Sequence, residues 1–119
     1  LAEEQGIREA IAHYADGMRT HDVDALKRGF HEQAILCGYL GDDLIAGPIA
    51  ELYAWVSSNP SPLVAGDPYS CEILAIDVTQ RVASATVRER YHDLAIDYLH
   101  LVKVGERWSI VSKLWDSES

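Results

Sequence analysis

The chain has 119 residues, of which 48% are hydrophobic and 24% charged, and its 19 acidic against 10 basic residues give a formal net charge of -9. That length holds one compact domain, residues 1–119, with a core of useful size, and the composition is neither disordered nor suited to a bilayer interior. The acidic excess repels phosphate backbones and anionic headgroups, which are bound through clustered Lys and Arg, so no nucleic acid and no membrane partner is expected.

Ile7, Ala10, Ile11, Tyr14, Ala15 and Met18 recur at steps of three and four, which paints one stripe of a helix over roughly 2–20. Asp22 can cap a second, short helix whose Val23, Leu26 and Phe30 turn inward. Residues 34–40 read as a strand, and Gly41-Asp42-Asp43 as a tight turn into a short strand over 44–46. Gly47-Pro48 with Ile49, Leu52, Tyr53 and Val56 predicts a third helix that stops near Ser58, with the proline in its first turn. The stretch from Asn59 to Pro68 is a turn-rich loop, long enough to act as a lid or simply to cross one end of a sheet, the crossing being the leading reading.

From Tyr69 onward the helical spacing disappears. Turns at Thr79-Gln80-Arg81, His92-Asp93 and Gly105-Glu106 divide four long β-rich runs, which form an antiparallel meander. Strands of this length must twist and curl, so the expected class is α+β, three N-terminal helices packed on a highly curved antiparallel sheet. Both faces of the sheet carry apolar residues, and an uncovered second face predicts a symmetric homodimer through the sheet.

Cys37 and Cys71 stand far apart within apolar, strand-like stretches, which suits small core residues and a reducing cytoplasm better than a disulfide framework. Residues 1–9 are charged where a signal peptide would be apolar, and no run approaches a membrane span. The chain starts at Leu1 and not at Met, so a leader removed earlier stays open.

Three helices around a short hairpin followed by a long curled meander resemble the cone-shaped fold of the nuclear-transport-factor-2-like superfamily, which includes ketosteroid isomerase, scytalone dehydratase and polyketide cyclases. The local marks are Phe30-His31-Glu32-Gln33-Ala34, Asp97-Tyr98-Leu99 with Lys103, and Gly105-Glu106-Arg107-Trp108-Ser109-Ile110-Val111. With Gly38-Tyr39-Leu40 and Ser61-Pro62 the text is most similar to the branch known as the putative lumazine-binding family. The resemblance covers nearly the whole chain and implies a cone with a deep, mostly apolar ligand cavity.

A two-residue turn at Gly105-Glu106 pairs Val104 with Arg107, which places Asp97, Leu99, Leu101 and Lys103 on one face with Trp108, Ile110, Ser112 and Leu114. That face is taken as the inner one, with Tyr98, His100, Lys113 and Trp115 at the dimer surface. A one-residue bulge would exchange the two sets. Asp97 inside an apolar cone is a candidate proton donor or acceptor. If His92-Asp93 is a two-residue turn, Arg88 falls opposite Asp97, as an ion-pair partner or as a clamp for an anionic ligand group.

Tyr14 on the inward stripe could donate to a carbonyl or enolate oxygen, and its alternative is an amphipathic core residue. The resemblance implies the first role, since ketosteroid isomerase carries its oxyanion-stabilising tyrosine in the corresponding helix. The isomerase's catalytic aspartate has no match, because the first strand offers Gly38 there. His31 could hang at the pocket edge as a general base or serve as a cap. No Cys/His cluster with metal-ligand spacing, Gly-rich phosphate loop or nucleophile elbow occurs, so neither metal nor cofactor is expected.

The leading expectation is a binder of a small apolar or aromatic, lumazine-like molecule, with Tyr14, Met18, Arg88, Asp97, Trp108 and Ser112 around the ligand. The alternative is a cofactor-independent isomerase, dehydratase or cyclase using Asp97 or His31 as base and Tyr14 as electrophile. A protein-interaction module pairing through its sheet is the third reading.

Overall fold

The computed structural model describes residues 2–118. Helix α1 (Ala2–Thr20) buries Ile7, Ala10, Ile11, Tyr14 and Met18, the stripe expected from their spacing, with Glu3 and Glu4 in its first turn and Arg19 in its last, as the helix dipole favours. His21 follows in the left-handed region at φ 58° and turns the chain. Asp22 then caps α2 (Val23–Gly29), its carboxylate accepting from the backbone N–H of Asp24 at 3.0 Å and of Ala25 at 3.3 Å. Gly29 lets α2 end against α1, because a Cβ there would meet the Ala10 carbonyl oxygen at 2.7 Å.

Strands β1 (Phe30–Leu40) and β2 (Asp43–Pro48) pair around Gly41-Asp42, with Gly41 at φ 62°. Both strands are longer than their apolar runs predicted, and Gly47 and Pro48 belong to β2, not to the helix that follows. β2 is an edge strand, where a proline lacking its N–H does not break the ladder. Helix α3 (Ala50–Ser58) follows. The loop after it contains one helical turn, α4 (Pro62–Ala65), whose cap Ser61 accepts from Val64 N–H at 3.1 Å and which Gly66 closes at φ 76°.

The meander comprises β3 (Tyr69–Thr79), β4 (Val82–Tyr91), β5 (Asp93–Val104) and β6 (Arg107–Ser117). The sheet has the order β2-β1-β6-β5-β4-β3, antiparallel throughout except where β1 lies parallel to β6. Helix α1 touches both β3 and β6, which are separated by two strands, so the sheet curls around the helix. The α+β cone expected from the pattern is the observed architecture.

Two details of register decide what the cone contains. Tyr91 pairs with Asp93 around His92 alone, at φ 65°, so β4 and β5 are offset by one residue from a two-residue turn. Between β5 and β6 the predicted pair Val104 with Arg107 is present, but a bulge follows between His100 and Leu101. Beyond it every β6 side chain changes face.

Candidate acid–base site

On β4, Ala83, Ala85, Val87 and Glu89 face inward while Ser84, Thr86, Arg88 and Arg90 face outward, because side chains alternate across a strand. Val87 stands opposite Asp97. Glu89 is thus the charged β4 residue on the aspartate's face, and Arg88 is not. Arg88 lies outside, opposite Ile96, and its guanidinium binds Glu118 at 2.8 Å and Glu72 at 3.5 Å. Its predicted place beside Asp97 fails by the one residue of the His92 turn.

The Tyr14 hydroxyl reaches both buried carboxylates, 2.7 Å from Glu89 Oε1 and 2.9 Å from Asp97 Oδ2. Tyr69 donates to the other oxygen of Glu89 at 2.6 Å. Tyr14 and Asp97 are fully buried, and Glu89 nearly so. One phenolic proton cannot serve two carboxylates fully, so the arrangement is complete when Glu89 carries a proton and donates it to the Tyr14 oxygen, leaving the phenol to donate to Asp97. Burial pushes Glu89 up to about 7, and the Asp97 charge adds to that shift while Lys113 opposes it. Burial also drives the Tyr14 and Tyr69 phenols upward, reinforced by Asp97 and then Glu89 at Tyr14 and by Glu89 at Tyr69. The Cys71 thiol, across the ladder from Glu89, is pushed up to about 12 by burial and then by that carboxylate.

The β6 bulge brings Lys113 and Trp115 inside. Trp115 pairs with Asp97, and Lys113 is 7% exposed, its Nζ 4.0 Å from Asp97 Oδ1 and 4.0 Å from the centre of the Trp115 ring. Asp97 Oδ1 is buried and has no hydrogen-bond partner among the described residues. Ser112 and Leu114, expected inside, are turned to the outer face by the same bulge, and Leu114 is 48% exposed. Trp115 also lies against Gly38, where any side chain would collide with the indole. The position at which the isomerase resemblance sought an aspartate is therefore occupied by a ring from the neighbouring strand.

Met18 is a buried member of the same core as Tyr14 and Phe30. Trp108 is buried at the other end of the β5–β6 hairpin, paired with Lys103 and packed on Gly6. Its indole Nε1 has no hydrogen-bond partner among the described residues. His31 stands apart from the carboxylates in a surface groove of about 700 Å³ with Lys27, Phe30, Tyr53 and Arg107, and its Nδ1 accepts from Gln33 N–H at 3.0 Å. It acts as a local cap there, and none of the acid–base cluster lines that groove.

Tyr69, Glu89 and Lys113 were missed by sequence reasoning. Glu89 was legible, since Ala83, Ala85 and Val87 at steps of two continue straight to it. An aromatic group extends the cluster outward. Tyr69 and Tyr91 meet edge to face, and Tyr91 shares a 2.6 Å hydrogen bond with His21, whose ring also meets Trp55. Among the described residues no group of three or more His, Cys, Asp and Glu could hold a metal ion, and no helix is long and apolar enough to cross a membrane.

Residues 2–116 match the model of the family described as "Putative lumazine-binding". A curated relative, Aldolase FrzH of Cladobotryum sp, is 25% identical over 107 residues, covering 87% of this chain and 82% of that protein. Among solved structures, an NTF2-like protein of unknown function from Shewanella baltica OS155 is 27% identical with a TM-score of 0.84, covering 98% of this chain and 94% of its own. Another from Methylobacillus flagellatus KT is 27% identical with a TM-score of 0.85, covering 98% and 93%. The chain belongs to the family so described, within the nuclear-transport-factor-2-like superfamily.

Proposed function

We propose that the cone binds a small, largely apolar organic ligand bearing a carbonyl group and moves a proton on it without a cofactor, in the class of isomerase, dehydratase, cyclase or aldol chemistry. The observation that carries this reading is the Tyr14 hydroxyl held between two buried carboxylates, one of them pushed up to about 7. Burying two acids is costly, and a general acid–base group works best when it titrates near the operating pH. Asp97, with Oδ1 unpartnered, accepts the proton from the carbon next to the carbonyl. Tyr14 donates to the oxygen on which charge develops and is resupplied by protonated Glu89. The cluster's proton count is unchanged over the cycle, as cofactor-free isomerisation requires. The partly buried Tyr69, Cys71, Tyr91 and Trp115 are the wall that a ligand meets first. The similarity to a protein named an aldolase supports the class of chemistry, and the family description supports an aromatic ligand.

The test is exchange of ligand α-protons for deuterium, followed by proton NMR over a panel of aromatic and alicyclic ketones. Exchange that depends on Tyr14 and Asp97 is expected. Exchange no faster than with Tyr14→Phe or Asp97→Asn would reduce the protein to a binder.

The outer face supports a homodimer through the sheet. Cys37, Leu114, Tyr98 and Thr86 form one row across four strands, with Ile35, Ser112, His100 and Ser84 in the next. Tyr98, Leu114 and Ile35 are each about half exposed, an apolar patch that a second copy of this chain would cover. The free thiols of Cys37 and Cys71 support a reducing, cytoplasmic setting.

A further inference from the structure

Lys113 has no part in the proton transfers above, yet its placement is the least explained in the cone. Its amine is nearly buried, lies over the faces of Trp115 at 4.0 Å and Tyr14 at 5.9 Å, and stops 4.0 Å from Asp97 Oδ1, which has no hydrogen bond. A lysine needed only to neutralise Asp97 would close that distance to a hydrogen bond. The chain's other lysines are ordinary by comparison. Lys103 holds Glu3 at 2.8 Å, and Lys27 stands on the exposed side of α2 over Tyr53.

We propose that Lys113 is a nucleophilic amine that joins the ligand's carbonyl carbon as a Schiff base, with Asp97 Oδ1 beside it to take the ammonium proton. This rests on the reading of the site as one for carbonyl ligands. The ammonium gives one proton to Asp97, the amine attacks the carbonyl carbon, and the C–N bond forms as the C=O π bond breaks. The oxygen then leaves as water, taking the proton held by Asp97 and one from nitrogen, and the lone pair on nitrogen closes the C=N bond. Carbonyl plus ammonium thus becomes iminium plus water, with no oxidant, reductant or net proton consumed. The iminium withdraws electrons from the adjacent C–H bond, which the neighbouring carboxylate can then deprotonate.

The experiment is reductive trapping of the intact protein with benzaldehyde, and separately with phenylacetone, in the presence of cyanoborohydride, mapped by peptide mass spectrometry. The expected result is one adduct per chain on Lys113, formed at least about tenfold faster than on Lys27 or Lys103 and slowed in Asp97→Asn. Lys113→Arg, checked for folding by circular dichroism, should lose it. Labelling of Lys27 and Lys103 at rates equal to or above Lys113, or no adduct anywhere, overturns the proposal. If deuterium exchange proceeds while Lys113 is never trapped, the covalent step is wrong and the acid–base reading stands. If Lys113 is trapped without exchange, the reverse holds.

Discussion

Tyr14 and Glu89, 75 residues apart in sequence, are joined by a buried hydrogen bond of 2.7 Å. The contact ties the middle of α1 to the inner face of β4, and through the same hydroxyl to Asp97 on β5. A helix stripe and two strand registers must all be correct for it to form.

Glu89 sets a pH dependence on stability. Its carboxyl is raised from the usual 4.5 to about 7. Between those values the folded chain holds a proton that the unfolded chain has released, so the stabilisation is full below about 4.5 and is lost as pH rises through about 7. Glu89→Gln abolishes this loss. Thermal unfolding should show the variant gaining on the parent by up to about 3 kcal/mol between pH 5 and pH 8.5. A gap that does not change with pH would contradict it.

Tyr14→Phe leaves Asp97 Oδ2 and Glu89 Oε1 without their shared partner in the interior. A stability loss of about 1–3 kcal/mol is expected in denaturant titration, together with a fall of about 10²-fold or more in α-proton exchange. Unchanged exchange with reduced stability would make the tyrosine structural only.

Arg88→Ala should leave ligand affinity and exchange as they are, because the guanidinium lies on the outer face with Glu118 and Glu72. A large loss of affinity in calorimetry would mean that the β4–β5 register differs from Val87 opposite Asp97.

Leu114→Asp places a charge in the centre of the outer apolar row without touching the cone. Light scattering should show a dimer converted to monomer while the deuterium exchange per chain persists. A parent protein that is monomeric at micromolar concentration would remove the proposed interface.

Helix α1, the Asp22 cap, the turns at Gly41 and Gly105 and the curled meander were legible in the sequence because each rests on local spacing or on a residue that tolerates positive φ. The inward placement of Tyr14, Asp97, Trp108 and Ile110 was legible for the same reason. What failed was register. His92 adopts φ 65° and shortens a turn by one residue, which exchanges Arg88 for Glu89. The β5–β6 bulge exchanges Ser112 and Leu114 for Lys113 and Trp115. Neither irregularity is marked by a glycine or proline at its position in the sequence. The alternation Ala83, Ala85, Val87, Glu89 did point inward and would have found the second acid.

The most direct test of the buried acid–base cluster is a carbon-13 NMR titration of the side-chain carboxyls from pH 3 to pH 9, with Glu89→Gln to assign the signal. One carboxyl carbon with a midpoint near 7 that disappears in the variant is expected. Every carboxyl titrating below about 5 would contradict it, since Glu89 could then hold no proton to return through Tyr14 at neutral pH.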